Sequence, residues 1–417
     1  MAPADGTVIG QAICEQLLTP EFFEKHWEKL PLHRNASDVN RLPEVLTADD
    51  IMEIVKSSAG SLKVFKDGDP FDGDNALIAY LDRASLIVNQ ADRCNKTLFD
   101  MCRVMAERHF HHVFCVMYLT PPGSQAVRLH NDDQDVFLLQ VVGRKHWTIR
   151  NSPTRLPYTE EMLGKATAVP EDLIGAPTLE FVMEAGDILY IPRGFLHEAA
   201  TGDEDPSMHI TITMPTSDYC WGVQAVKHLH RVQQPERPGA VPACRTADEA
   251  LPAELAALCA TSMAPVGPGG RRALSDHALD AELQKVLGAW LGTLSPETLV
   301  GSFRDRMAGT NDSQMRAFQH KQENMPSRLL TAERSVRMLS GIRCECAEGA
   351  DYVLFSRADG KTLEMDIRRT AAPLLRALTA KPQKVASLPC RDSFERLCVL
   401  EVLVQAGILQ VIEELDE

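Results

Sequence analysis

The stretch His130-Asn-Asp132-Asp133-Gln-Asp-Val-Phe-Leu-Leu-Gln140, taken with the later Ile191-Pro-Arg-Gly-Phe-Leu-His197, decides how this chain is read. Two imidazoles and one carboxylate are the ligand set that holds ferrous iron on one face and leaves the opposite face open. His130 and Asp132 stand at i and i+2, and on a strand that spacing turns both side chains to one side. The interval to His197 is long enough for several strands to return the chain to the same place. A His-x-Asp alone arises by chance in many chains, so the context matters. Here it is followed by a strand, Gly143, the basic-aromatic run Arg144-Lys145-His146-Trp147, the turn Gly186-Asp187, and Pro192-Arg193-Gly194 before the third ligand.

Outward from this stretch the texture is β. Runs rich in Val, Ile, Leu and Phe fall at 113–119, 135–142, 146–150, 178–183, 187–191 and 209–214, punctuated by Gly and Pro. Evenly spaced short strands with such turns predict a sandwich or jelly roll. Residues 1–60 read as helical and acidic, with one helix starting at the cap-like Thr19 and Pro20 and another at Asp49-Asp50-Ile51. Residues 61–125 mix short strands and turns with one helix, Lys96 to Phe110. After about 217 the pattern is helical again, at Val223 to Val232, Ala250 to Cys259 and His277 to Leu294, with a loop at Pro235 to Pro242. Past Pro326 we expect a helix at 330–340, strands at 351–357 and 362–366, helices at 370–378 and 391–406, and a strand at 408–412. That alternation fits a small winged-helix-like unit. The chain is therefore expected to be α+β, in three parts: 1–216, 217–325 and 326–417.

Composition excludes several classes. A chain of 417 residues is too long for one ordinary core. Its 44% hydrophobic and 24% charged residues are those of a folded globular protein. No stretch approaches the ~20 apolar residues of a membrane helix. The start, MAPADGTVIGQAICEQLL, lacks a secretory pattern, so an intracellular protein is expected. The 11 cysteines show no framework spacing, which suits a reducing compartment. A net charge of −15 repels nucleic-acid phosphates and favours basic protein partners.

Other histidines and cysteines carry less. His109, His111 and His112 read as surface or packing residues. His228 and His230 are two apart on an expected helix and do not share a face. Cys344, Cys346, Cys390 and Cys398 match no standard zinc spacing.

The quoted segments resemble the JmjC ribosomal oxygenases. The resemblance runs through His130 to Trp147 and Glu184 to His197, and it includes the N-terminal Phe22-Phe23-Glu-Lys-His-Trp27-Glu28-Lys-Leu-Pro31. It implies a double-stranded β-helix core (cupin or jelly roll, JmjC), a helical dimerisation region and a C-terminal winged-helix domain. It also implies an enzyme that uses Fe(2+), 2-oxoglutarate and O2 to hydroxylate a histidine or arginine side chain of a ribosomal protein. His130, Asp132 and His197 would be the iron ligands. Lys145 lies where the family places the cation for the distal carboxylate of 2-oxoglutarate, and a buried dianion does need a fixed positive partner. Thr211, in His209-Ile-Thr211, would support the same carboxylate, and Tyr118, in Met117-Tyr118-Leu119-Thr120, matches an active-site tyrosine.

Two features depart from the family. Val116 replaces an asparagine, and Arg128-Leu129 replaces a pair of prolines; both lie at the expected cleft mouth and leave the substrate open. Histidine is the expected target residue and arginine the alternative. A JmjC histone lysine demethylase would share the iron core, and a non-catalytic cupin scaffold is a third reading. The expected partners are a basic ribosomal protein and a second copy of the chain, with no membrane and no direct nucleic-acid binding. Nucleus, nucleolus and cytoplasm all fit.

Overall fold

The computed structural model describes residues 5–37, 45–58, 60–73, 75–233, 284–285, 287–288, 291–292, 294–325, 329–345, 352–356, 360, 362–366 and 371–412. The chain divides into two compact units. One comprises Met1–Met214 with Gln314–Glu417, and the other Pro215–Ser313.

The first unit is built on strands β1 (Leu32–Arg34), β2 (Leu62–Lys66), β3 (Asp69–Pro70), β4 (Ser85–Val88), β5 (Phe114–Thr120) and β6 (Asp135–Gly143). They are followed by β7 (Lys145–Arg150), β8 (Pro177–Met183), β9 (Ile188–Ile191), β10 (Leu196–Ala200) and β11 (Ser207–Met214). Eight of these form one sheet in the order β1-β9-β6-β11-β5-β4-β2-β3, and β10-β7-β8 form a second. The pairings are antiparallel throughout. This is the two-sheet, jelly-roll arrangement that the strand spacing predicts, and the cupin-like fold with mixed helix and sheet that the resemblance implies.

The two-residue period of each strand separates an outer core from an inner cavity. On β11, Met208, Ile210, Ile212 and Met214 join the large apolar core, whereas His209 and Thr211 line the cavity. On β6, Phe137 and Leu139 point to the large core, and Val136 and Leu138 to the cavity side. Helices α1 (Gly6–Leu17), α2 (Pro20–Lys25), α3 (Ala48–Ser57), α4 (Ala76–Leu81) and α5 (Lys96–Met105) cover the outer face. Ile9, Ile13, Met101 and Met105 share one core with Met117 and Ile210.

The N-terminal aromatic segment fastens onto the sheet. Thr19 caps α2 by accepting from the Phe22 N–H at 3.2 Å, and Pro20 occupies the first turn. Buried Phe22 then meets the rings of Tyr190 and Phe137 at 4.9 and 5.5 Å, and Trp27 stacks on Tyr190 at 6.0 Å. The Glu28 N–H donates to the Tyr190 hydroxyl at 2.9 Å, and that hydroxyl donates to buried Asp135.

In the second unit, α6 (Trp221–Gln233) follows Tyr219, whose ring meets Phe303 at 5.3 Å and lies under the Arg306 guanidinium at 5.6 Å. The long α7 (Pro296–Glu323) begins in this unit. From Gln314 onward it belongs to the first unit. There Gln314 donates to the Asp92 carboxylate at 2.8 Å, and Phe318 stacks on Phe99 at 4.3 Å.

The rest of the first unit runs β12 (Ser335–Met338), β13 (Arg343–Glu345), β14 (Tyr352–Ser356), β15 (Thr362–Asp366), α8 (Ala372–Ala377), β16 (Gln383–Lys384), α9 (Ser393–Gln405) and β17 (Leu409–Ile412). Its sheets have the orders β16-β12-β17 and β13-β14-β15. Helix α9 packs on α3 and α4. Tyr80 meets Phe394 edge-on at 5.2 Å, Asn75 donates to Gln405 at 2.9 Å, and Lys56 pairs with Glu401.

Several expectations are corrected. Residues 330–340 do not form a helix, because Ser335-Val-Arg-Met pairs with β17 and buries Val336 at a two-residue period. His130-Asn-Asp132 is not on a strand: His130 makes an isolated bridge, and β6 begins only at Asp135. The helix expected to reach Phe110 ends as α-helix at Met105 and widens into a π turn. Strands β1 and β10 and helices α4 and α7 were not anticipated. The loop at 235–242 and the helix Ala250 to Cys259 lie outside the described residues, as does most of His277 to Leu294. No helix among the described residues is long and apolar enough to cross a membrane.

Candidate metal centre

Two chain segments converge at one end of the cavity. His130 and Asp132 lie just before β6, and His197 is on β10. Their ligand atoms all lie within 4.8 Å of one another. Asp132 Oδ1 is 3.9 Å from His130 Nε2, and Oδ2 is 3.6 Å from His197 Nε2.

Each imidazole is fixed through its other nitrogen. Nδ1 of His130 lies 2.7 Å from the Arg128 carbonyl, and Nδ1 of His197 lies 3.0 Å from the Phe195 carbonyl. A carbonyl can only accept, so both Nδ1 atoms carry the proton and both Nε2 lone pairs point to the centre. Burial, helped by neighbouring His197 and Lys165, pushes the His130 pKa down to about 3. Burial likewise lowers that of His197. Burial works to raise that of Asp132, but Lys165 and the two imidazoles outweigh it and hold the carboxyl well below the usual range. Neutral imidazoles beside an ionised carboxylate are the protonation states a divalent cation requires.

Asn131, between two of these residues, is fully buried and binds the site together. Its amide oxygen accepts from the Leu163 N–H at 2.6 Å, and its amide nitrogen donates to the Gly194 carbonyl at 3.3 Å. The Gly194 N–H donates in turn to the Asp132 carbonyl at 2.8 Å. Gly194 has φ +91°, and a Cβ there would lie 2.4 Å from the Ser152 hydroxyl. That explains the glycine of Pro-Arg-Gly.

Behind these residues the cavity is lined by Tyr118, Lys145, Trp147, His209 and Thr211, with Val136 and Leu138 as apolar wall. Lys145 is buried, and its ammonium donates to the Thr120 hydroxyl at 3.1 Å. Burial alone pushes its pKa down to about 7, and among the described residues no acidic side chain offsets it. His209 stacks on Tyr118 with ring centroids 4.8 Å apart. Trp147 Nε1 and His209 Nδ1 are buried without a hydrogen-bond partner among the described residues. A cavity holding an uncompensated cation and an orphaned donor fits an anionic occupant. The structure thus brings together all six residues singled out from the sequence: His130, Asp132, His197, Lys145, Thr211 and Tyr118.

Sequence reasoning missed His209, Asn131 and Lys165. Lys165 stands 2.6 Å from Asp132 Oδ1. Only the Thr211 motif pointed toward His209, and nothing local in Leu163-Gly164-Lys165 signals its place. A second cluster, Asp92, Cys102 and Cys115, is fully buried. There burial raises both thiol pKa values, and Asp92 already accepts from the Cys115 N–H and Gln314, so its groups are satisfied without an ion. Cys344, Cys390 and Cys398 form no such cluster among the described residues.

Residues 88–220 match the JmjC domain family. Among curated proteins it is similar to ribosomal oxygenase 1 of Gallus gallus, 31% identical over 211 residues, covering 46% of this chain and 34% of that one. It is also similar to the bifunctional lysine-specific demethylase and histidyl-hydroxylase NO66 of Aedes aegypti, 45% identical over 106 residues, covering 25% and 16% of the two chains. The chain spans about a third of the length of the first curated relatives it matches. Among solved structures, Escherichia coli ribosomal oxygenase YcfD in complex with cobalt and 2-oxoglutarate aligns over 95% of this chain and 99% of that one, with 18% identity and a TM-score of 0.42.

Proposed function

We propose that this protein is a 2-oxoglutarate-dependent oxygenase that hydroxylates a side chain, histidine ahead of arginine, of a basic ribosomal protein. The observation that carries the reading is one cavity holding a His, Asp, His triad at its mouth and the uncompensated Lys145 ammonium behind it. His130, Asp132 and His197 would hold Fe(2+), and their protonation states suit it. When bound there, iron with 2-oxoglutarate and O2 supplies the oxidising power for hydroxylation, with succinate and CO2 as co-products.

The protein's own part is positioning. Lys145 would anchor the distal carboxylate of 2-oxoglutarate by a charge-assisted bond. Thr211 would offer a hydroxyl to the same group. Burial raises the Tyr118 pKa, which keeps its phenol protonated as a donor to the co-substrate. Trp147, Val136 and Leu138 exclude water from this end. The names of the relatives, ribosomal oxygenase and histidyl-hydroxylase, support the substrate class. A net charge of −15 suits a basic partner.

The remaining parts of the proposal concern the flanks. Residues 1–216 would be the catalytic part, 217–325 a helical region forming a symmetric dimer, and 326–417 a winged-helix-like unit for protein contact. Nucleus, nucleolus and cytoplasm all remain compatible. Sedimentation of the full chain tests the dimer.

The deciding experiment incubates the protein with Fe(2+), 2-oxoglutarate and purified ribosomal proteins, followed by peptide mass spectrometry. One added oxygen on histidine or arginine is the expected result. Loss of a methyl group from methyl-lysine would favour the demethylase reading, which the name of the NO66 relatives also carries. No 2-oxoglutarate turnover would leave the scaffold reading.

A further inference from the structure

Lys165 belongs to neither the triad nor the anion end of the cavity, yet its placement is built rather than incidental. The segment Leu163-Gly164-Lys165 lies along His130-Asn131-Asp132 with reciprocal bonds. The Asn131 N–H donates to the Leu163 carbonyl at 3.1 Å, and the Leu163 N–H donates to the Asn131 amide oxygen at 2.6 Å. Gly164 has φ +81°, and a Cβ on it would lie 2.2 Å from the Leu129 carbonyl oxygen and 2.6 Å from His130 Cα. Only glycine permits that approach. It brings the Lys165 ammonium within 2.6 Å of Asp132 Oδ1, the oxygen nearer His130.

We propose that Lys165 is a positioning residue, a built-in counter-cation that competes with the metal for Asp132 and keeps Oδ1 out of its coordination. The inference rests on the metal reading above. An unrestrained carboxylate can bind through both oxygens, which would consume a position that the co-substrate or dioxygen needs. A donor on one oxygen prevents this. The same positive charge opposes a nearby dication and favours an anionic co-substrate.

The signs of these effects separate this role from simple loop support. Lys165→Met should bind Co(II) at least several-fold more tightly, with an altered visible absorption spectrum reporting the freed carboxylate oxygen. It should then bind 2-oxoglutarate more weakly. Lys165→Arg should restore near wild-type behaviour on both counts. A lysine that merely supports the loop would, when removed, loosen the site and weaken Co(II) binding. Unchanged or weaker Co(II) binding by Lys165→Met, beside a wild type that binds, would overturn the assignment alone. A wild type that binds no Co(II) would overturn the metal reading and this inference together.

Discussion

His130 and His197 face each other as an antiparallel bridge, each backbone N–H donating to the other's carbonyl, at 3.1 and 2.8 Å. Two residues far apart in sequence are thus joined by main chain before any ion binds. Their rings, 4.3 Å apart between centroids, start from a fixed separation, and little ordering is left for the metal to impose.

Loss of a triad member should therefore act on binding, with the fold intact. His130→Ala and Asp132→Ala are expected to lower Co(II) affinity by more than about 100-fold, beyond what outer-shell changes cause. Both should stop 2-oxoglutarate turnover. Titration calorimetry with circular dichroism as a folding check decides it, and wild-type affinity in both variants would sink the assignment.

Asn131→Ala should behave differently. It strands the Leu163 N–H and the Gly194 carbonyl, both bonded to the buried amide. The cost is expected at about 1–3 kcal/mol of global stability, read from urea unfolding, because each orphaned group loses water without a new partner. Metal affinity should fall as well, since both flanking segments lose their tie.

Lys145 gives a pH dependence with opposite signs for folding and binding. Folded, its amine titrates at about 7, against the ordinary 10.5. The unfolded chain therefore binds more protons between those values, and the lysine's contribution to stability rises with pH across that window. Its full cost is present below pH 7. If Lys145 anchors the co-substrate as proposed, affinity for 2-oxoglutarate should fall as pH rises above 7, with proton uptake visible in calorimetry. Lys145→Met should melt higher yet lose about 2–5 kcal/mol of co-substrate binding. Affinity flat with pH would contradict this role.

Phe22→Ala tests the N-terminal segment. The ring is 2% exposed and touches Phe137 and Tyr190, so truncation should cost about 3–5 kcal/mol in chemical denaturation. The triad is not contacted, and metal affinity per folded molecule should hold.

What the sequence revealed follows from what chemistry and periodicity each constrain. The His, Asp, His set was legible because a metal site admits few donor types, and β5 to β9 and β11 because apolar runs are cut by Gly and Pro. The strand bearing His197 was not: Leu196-His-Glu-Ala-Ala is poor in β-branched residues and owes its conformation to pairing with β7. The 330–340 segment misled for a related reason, as Leu329, Leu330 and Val336 suit either period until β17 selects one. Lys165 was invisible because proximity through Gly164 leaves no pattern in the chain.

The packing of α9 on α3 and α4 carries a last consequence. Val399, Val402 and Leu403 lie in the same apolar core as Ile51, Ile54 and Val55. A fragment that keeps the N-terminus and stops at residue 220, where the JmjC match ends, would uncover that surface to water and invite aggregation. The sheets that carry the triad and the C-terminal elements of this unit should melt in a single cooperative transition, so damage in the last helix would be felt at the site.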